Sequence, residues 1–514
     1  MMATPGFSYA ADPATISFSV SGFVVEGENP LSEKETQQIL EEFKGENVDL
    51  NSLQDATKAL EEGMAKQGLS FHRVVLPEQT IEDGIVKFEV VAFKIGEVTV
   101  TGNKYFLEKN IRKSLPVVKA GVLPNTRDFS LALRAAHLHP AKQYDLKIKQ
   151  GVEADTIDAE IKVKDSKPWM VFAGLNNIGS DETGEFRATV GGQYNNFLGA
   201  DNILSMSYTT SPGHYGDVKQ YGLTYQIPLY RYFSQLNFFY TTSDVDSGVV
   251  GDFDISGAGD FWGVSITRLL PNLNKYTHEI GIGFQDHLFT NETVPIFDIL
   301  GIDLGLDVRS RPLNLDYHGE YKSENSLSNF SISAIYNLTS GSNNSDRAYE
   351  AVRFNADNDW QAIRFSGNSN YFLPRQWLLR TRLAGQWSDD ILIPGEQFGL
   401  GGYYSVRGFE ERAVSADSGI TASLEVWAPP IKEWNNLRIL TFLDGGYKHL
   451  NQTIAVIEKN NDTIFSVGLG MRWQWKEQLN LSLDYGYVLD EARQLSTLAD
   501  EGNSKFHFNL AYRF

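Results

Sequence analysis

The chain has 514 residues, too many for one ordinary soluble core, so its length calls for two or more domains. It has no cysteine, which excludes disulfides and thiolate metal sites, and its formal net charge of -20 argues against a nucleic-acid partner. Abundant glycine and aromatic residues with a polar mean hydropathy suit an extensive antiparallel β structure.

In chain order, residues 1–16 (MMATPGFSYAADPATI) lack the basic-then-apolar pattern of a signal peptide and form a poor helix, so they read as an N-terminal remnant or linker. ISFSVSGFVV then reads as a strand. A helix follows in PLSEKETQQILEEF, where Ser32 and Glu35 have the spacing of a capping box. LQDATKALEEGMAKQG is a second helix, with Leu53, Ala56, Leu60 and Met64 on one face and Gly68 as its stop. FHRVVLP and GIVKFEVVAF are strands that close the unit.

The order then repeats. GEVTVTGN is a strand, FLEKNIRKSL and DFSLALRAAHL are helices, and YDLKIKQG and TIDAEIKVKD are strands. Residues 17–92 and 93–166 are thus predicted as two β-α-α-β-β units, each placing two helices over a small sheet whose edge could accept an extended peptide. The alternative is a pair of purely structural domains. His137 and His139 stand at a helix end, where a capping role fits better than metal binding.

Past KDSKPW, where Pro168 breaks regular pairing, residues 167–514 read as strands and turns. In SKFHFNLAYRF, Phe506, Phe508, Leu510, Tyr512 and Phe514 share one face, opposite Lys505, His507, Asn509, Ala511 and Arg513. In LNLSLDYGYVL the polar face holds Asn480, Ser482, Asp484 and Gly486. FSVGLGMRWQW and GIDLGLDV alternate in the same way. Such strands build either a soluble sandwich with apolar faces packed inward or a membrane barrel with apolar faces outward. Strand length, aromatic residues at strand ends and glycines on the polar face favour the barrel. Seventeen candidate strands can be drawn, including ones near residues 169, 297, 347 and 359. An even number is expected, so the prediction is sixteen, with one candidate at 169, 347 or 359 being a loop or part of a neighbour.

One connection, about residues 390–418, is long and carries GLGGYYSVRGFEERAV. If it folds into the lumen, Arg407 needs a partner in a confined space. In LRILTFLDGGYKH, Asp444 and Phe442 face opposite to Ile439 and Leu443, so Asp444 points inward if those two meet lipid. The other reading is a solvated loop charge. No phosphate-binding GxxxxGK[ST] and no HExxH occurs, and no catalytic, cofactor or metal site is predicted.

Together these segments resemble the outer-membrane transporters of two-partner secretion. The resemblance is carried by GFVVEGENPLSEKE, VVLPEQTIEDGIVKFEV, KPWMVFAGLNNIGSDETGEFRATVGGQYNNFLGADNILSMSY, VRGF and FLDGG. It implies a 16-stranded transmembrane β-barrel with two N-terminal periplasmic polypeptide-transport-associated (POTRA) domains, at 17–92 and 93–166. It also implies an inward-folded loop whose tip is Val406, Arg407, Gly408 and Phe409, a wall motif of Phe442, Asp444 and Gly446 that receives the arginine, and Phe514 as a signal read during barrel assembly. The implied function is secretion of a large exoprotein recognised through its N-terminal secretion domain, such as an adhesin, a haemolysin or a toxin of the contact-dependent inhibition class. The alternative is an outer-membrane protein insertase. Implied partners are the lipid bilayer, lipopolysaccharide and the barrel assembly machinery, and no cofactor is implied. Family members usually begin with a plug helix; residues 1–16 do not resemble one, and a channel without that obstruction is the expectation.

Overall fold

The computed structural model describes residues 17–180, 183–244, 248–250, 253–255, 257–290, 307–453, 459–490 and 502–514. They form two compact units: residues 17–138 with 142–165, and residues 139–141 with 166–514. The expectation about a plug concerns residues 1–16, which lie outside the described residues.

The first unit holds two small α/β layers. In the first, the predicted opening strand is two strands. Ser17–Val20 pairs antiparallel with Gly45–Asp49, and Gly22–Gly27 pairs parallel with Ile85–Ala92, which is flanked on its other side by His72–Val75. The strand Gly45–Asp49 corrects the predicted β-α-α-β-β order. It is short, and its GENVD sequence has no apolar alternation to reveal it. Helix Glu33–Leu40 begins in a complete capping box, and the Ser32 hydroxyl and backbone N–H hold the Glu35 carboxyl below the usual carboxylate range. Helix Leu50–Lys66, capped by Asp49, buries Leu53, Ala56, Leu60 and Met64 over a sheet whose Phe23 and Phe88 rings stack at 5.3 Å. The second layer follows the predicted order. Lys94–Thr101 runs parallel to Thr156–Asp165, which pairs antiparallel with Lys142–Gln150, under helices Glu108–Ser114 and Thr126–His137. The Asp165 carboxylate accepts the backbone N–H groups of Lys104, Tyr105 and Phe106 at 2.8–2.9 Å, fastening the turn before the first of these helices. The His137 ring accepts the Tyr144 N–H at 3.1 Å.

In the second unit, sixteen antiparallel strands close into a barrel among the described residues. The first eight are Trp169–Asn176, Arg187–Phe197, Asn202–Thr210, Gln220–Leu229, Ser234–Ser243, Gly259–Leu273, Tyr276–Phe289 and a strand interrupted at Arg311, Val308–Ser310 with Pro312–Lys322. The last eight are Ser326–Asn337, Gln361–Phe372, Leu378–Trp387, Ser418–Trp427, Arg438–His449, Asn461–Trp475, Leu479–Asp490 and Ser504–Arg513. The candidate near 347 is a helix, Asp346–Val352, capped by Ser345. Seven residues are too few for a 3.6-residue period to be told from alternation. Of the candidate at 297, read in GIDLGLDV, residues 301–306 lie outside the described residues. The strand Pro312–Lys322 was not among the candidates, because Pro312 reads as a break; as the first residue of a strand it is tolerated.

The barrel inverts a soluble sandwich. Ile439, Leu443, Val467, Leu469 and Tyr485 are exposed on the outer face, while Asp444, Ser466 and Asp484 are buried inside. Exposed aromatics ring both ends, Trp169, Tyr232, Trp377, Trp434 and Trp475 at one and Tyr221, Trp262, Tyr336, Trp387 and Tyr447 at the other. A continuous apolar girdle of this kind is stable against hydrocarbon rather than water, and ring closure leaves no unpaired edge in lipid. Among the described residues no helix is long and apolar enough to cross a membrane. The seam between last and first strands is short, Asn509–Arg513 against Phe172–Asn176. The Asn177 side chain extends it, donating to Phe506 O at 2.7 Å and accepting Phe508 N–H at 2.8 Å. Phe514, exposed, donates its N–H to Val171 O at 2.8 Å.

Candidate functional site

The connection 388–417 turns back as a hairpin, with Phe398–Leu400 paired to Val414–Ala416. Its tip is held by apolar packing on both sides of the arginine. Val406 and Phe409 are fully buried with Leu400, Val414, Ile464 and Val488. Between them Gly408 has φ +100°, a left-handed conformation that a residue with a Cβ adopts only under strain. On the facing wall Gly446 leaves room for Leu400, which would lie 2.8 Å from a Cβ at that position.

This hairpin carries Arg407 into the barrel wall, where it is 1 % exposed. Asp444, on Arg438–His449, grips it as a fork: Nε to Oδ2 is 2.7 Å, Nη2 to Oδ1 is 2.9 Å, and the Arg407 backbone N–H donates to Oδ2 at 3.1 Å. Two more carboxylates converge on Nη1, Glu425 at 2.9 Å from Ser418–Trp427 and Asp484 at 3.3 Å from Leu479–Asp490. Ser423 Oγ accepts from Nη2 at 3.2 Å, and the Phe442 ring centroid lies 3.5 Å from the guanidinium carbon. Two of the three carboxylates are in turn shared, Glu425 with Arg382 at 3.4 Å and Asp484 with Arg472 at 2.9 Å. Each buried charge therefore has an opposite partner, the condition under which such a cluster is tolerated.

The sequence had drawn attention to Arg407 and Asp444 but not to Glu425, Asp484 or Ser423 as partners. The signal was present: alternation puts Asp484 on the inward face of its strand, and Glu425 sits in SLEVW, where a charge on a strand is costly unless it points inward. Two further groups were missed. The Gly408 N–H donates to His507 Nε2 at 3.1 Å, which requires that nitrogen unprotonated. Gly486 lets two backbones touch, since a Cβ there would lie 2.6 Å from Gly408 N and 2.8 Å from Arg407 C. Because the strand is fixed in the barrel, Gly486→Ala should push the hairpin tip off the wall and cut secretion several-fold at unchanged membrane level; protease accessibility of residues 402–411 in intact cells reads the displacement.

A second carboxylate fastens the base of the hairpin. Asp417, fully buried, takes an ion pair from Arg353 on the connection 338–360. It also accepts the backbone N–H groups of Leu392 and Asn451, each at 2.9 Å. Three connections meet on this one side chain. Around it Tyr349, Trp360, Leu392 and Ile393 pack with Phe239, Phe261, Phe289 and Val308 into an apolar roof over the same end of the barrel.

Comparison with known proteins places this architecture. The model of the haemolysin secretion/activation proteins ShlB/FhaC/HecB matches residues 155–473. The chain belongs to that family. The ShlB-type POTRA model matches residues 18–92. The transporter is 21% identical over 457 residues to the heme/hemopexin transporter protein HuxB of Haemophilus influenzae strain 86-028NP, covering 85% of this chain and 77% of that one. It is 24% identical over 468 residues to the outer membrane transporter CdiB of Escherichia coli O6:K15:H31 strain 536, covering 87% and 75%. Among solved structures it superposes on CdiB from Escherichia coli with a TM-score of 0.79 at 17% identity, over 99% of this chain and 93% of that one. BamA from Haemophilus ducreyi lacking POTRA domains 1-3 gives 0.52, also at 17% identity.

The transporter is thus an outer-membrane pore of the two-partner secretion type that exports a partner exoprotein, with its POTRA region in the periplasm. That location orients the barrel. The first strand starts at the periplasmic end, the even strand count returns Arg513 there, and the connections 338–360 and 388–417 lie at the cell surface.

Proposed function

We infer that the two α/β layers, 17–92 and 93–166, act as tandem POTRA domains that capture the N-terminal secretion domain of a long exoprotein, which then threads the barrel unfolded and folds outside. The supporting observation is that each sheet ends in an edge strand, His72–Val75 in one and Lys142–Gln150 in the other; Glu61 takes the Val74 N–H in the first and His137 the Tyr144 N–H in the second, so the stretch best suited to adding an extended segment is 145–150. The VRGF tip at 406–409, clasped by the FLDGG wall at 442–446, is the element that keeps the hairpin seated against one side of the bore, and export depends on its being seated there. No chemical step is involved. Folding of emerged segments outside supplies direction, since a folded domain cannot return through the pore. Phe514, beside the seam, serves as the signal read by the barrel assembly machinery, and lipopolysaccharide surrounds the outer rim.

The cargo is best found by co-expressing the transporter with the exoproteins encoded beside it and asking which reaches the medium or cell surface. One such protein should be secreted by the full chain and retained when residues 17–92 are removed, with the barrel still present in the membrane. Secretion persisting without 17–92 would refute capture by that domain. A depleted outer-membrane protein profile with normal export would instead support the insertase reading.

A further inference from the structure

The interior of the barrel is divided by charge. From Trp169 to Leu273, six strands turn Ser, Thr, Asn, Gln, Gly and a few apolar residues inward. Among the described residues their one inward charge is Arg187, at the surface end, where its guanidinium is spent on the carbonyls of Gly184 and Phe186. The other wall carries the ionic groups, including Arg364, Arg382, Glu425, Asp444, Arg472 and Asp484. The hairpin tip is anchored to that charged wall, through Arg407 and through Gly408 on His507.

The neutral wall bonds chiefly to itself. Thr189 and Thr209 share a hydrogen bond of 2.7 Å, Gln220 donates to Ser243 at 3.0 Å, and Gln235 donates to Asn237 at 2.6 Å. At the periplasmic end it lines a cavity of about 560 Å³, bordered by Met170, Phe172, Gln193, Ser205, Thr224 and Asn237, with Arg513 of the last strand as its one charged lining residue. At the surface end Phe239 and Phe261 run under the apolar roof held by Asp417.

We propose that this uncharged wall is the track along which the transported polypeptide moves, its occupant being an extended segment of the exoprotein in transit. This rests on the export reading above. The physical reason is friction. A charge on a partly desolvated wall binds each oppositely charged cargo side chain and repels each like one, so a long chain of mixed sequence would stall repeatedly. Hydroxyl and carboxamide groups that already bond to one another can exchange those bonds for cargo backbone groups at little net change, so successive residues meet the same weak, sequence-tolerant surface. Confining most of the fixed charges to the wall that clasps the hairpin, where Arg407, Arg382 and Arg472 pair with Asp444, Glu425 and Asp484, keeps those groups out of the cargo's way. The cavity gives the segment a place to start on this wall.

The test uses the full chain in cells, with the exoprotein encoded beside it fused to a stably folded domain that halts it in the pore. A photoreactive residue is placed at Gln193, Thr224 or Asn237 on the neutral wall, and at Ser331 or Asn480, on the inward faces of other strands. The proposal expects cross-links to stalled cargo from the first three at several times the yield of the last two. It also expects Thr224→Arg to slow export several-fold at unchanged barrel level, with Thr224→Ser unaffected. Equal yields, or cross-links from Ser331 and Asn480 alone, would overturn the track while leaving export intact. If no exoprotein is exported or stalled even by the unmodified chain, the track and the export reading both fail.

Discussion

Arg407→Ala is expected to leave the barrel assembled in the outer membrane and to lower secretion of the exoprotein by about tenfold or more. The assembly half follows from where the residue lies. Arg407 is on a connection, and removing it breaks none of the ladder bonds that close the barrel. The transport half follows from what remains. Asp444, Glu425 and Asp484 would face a space without the guanidinium, and Gly408 and Phe409 would lose the anchor beside them. Removing one member of a buried ionic cluster costs about 3–5 kcal/mol, chiefly because the remaining charges stay unpaired. Each 1.4 kcal/mol or so is a tenfold change in an equilibrium, so the docked hairpin would lose about a hundredfold or more of its population advantage. Arg407→Lys should recover little, because an ammonium cannot reproduce the fork on Asp444 or the stacking on Phe442. A heat-modifiable gel band checks assembly and exoprotein in the medium checks transport. Wild-type export at equal membrane level would defeat the prediction.

The second large effect is expected at the surface end. Asp417→Ala should raise single-channel conductance and admit large antibiotics that the intact outer membrane excludes. The Asp417 carboxylate is the common acceptor for Arg353, Leu392 N–H and Asn451 N–H, so its loss leaves a guanidinium and two backbone donors without that partner in a buried place. About 3–5 kcal/mol is again the scale for stranding the charge, with each unsatisfied donor adding about 1–3 kcal/mol. The roof of Tyr349, Trp360, Leu392 and Ile393 would then hold by apolar contact and by the hydrogen bonds of the Tyr349 hydroxyl, without the tie to Asn451. Longer or larger open events in planar bilayers are the expected readout, with the band shift on heating unchanged. Arg353→Ala should act in the same direction but less strongly, since Asp417 keeps its two backbone donors. A conductance trace indistinguishable from wild type in both variants would show that the roof does not depend on this ion pair.

These two clusters differ in how far a reader of the sequence could have reached them. Arg407 stood out between glycines, and the alternation of LRILTFLDGGYKH turned Asp444 inward. Asp417 gives no signal, because SADSG reads as an ordinary turn and its partner Arg353 lies in a connection whose helix reads as a strand candidate. The short strand Gly45–Asp49 and the interrupted strand at Arg311 were lost for a similar reason: each is defined by the neighbour it pairs with more than by its own pattern.

What the sequence determined alone is the period. Two-residue alternation over most strands assigned which side chains face hydrocarbon and which face the bore, because the pleat enforces that alternation locally in any strand. What only the tertiary structure decided is which inward groups meet. Arg407, Glu425, Asp444 and Asp484 lie on four separate segments, and the closure of the ring together with the fold-back of the hairpin brings them within 2.7–3.3 Å. Separation along the chain carries no information about such convergence, since it is set by strand order and register, both products of the closed sheet.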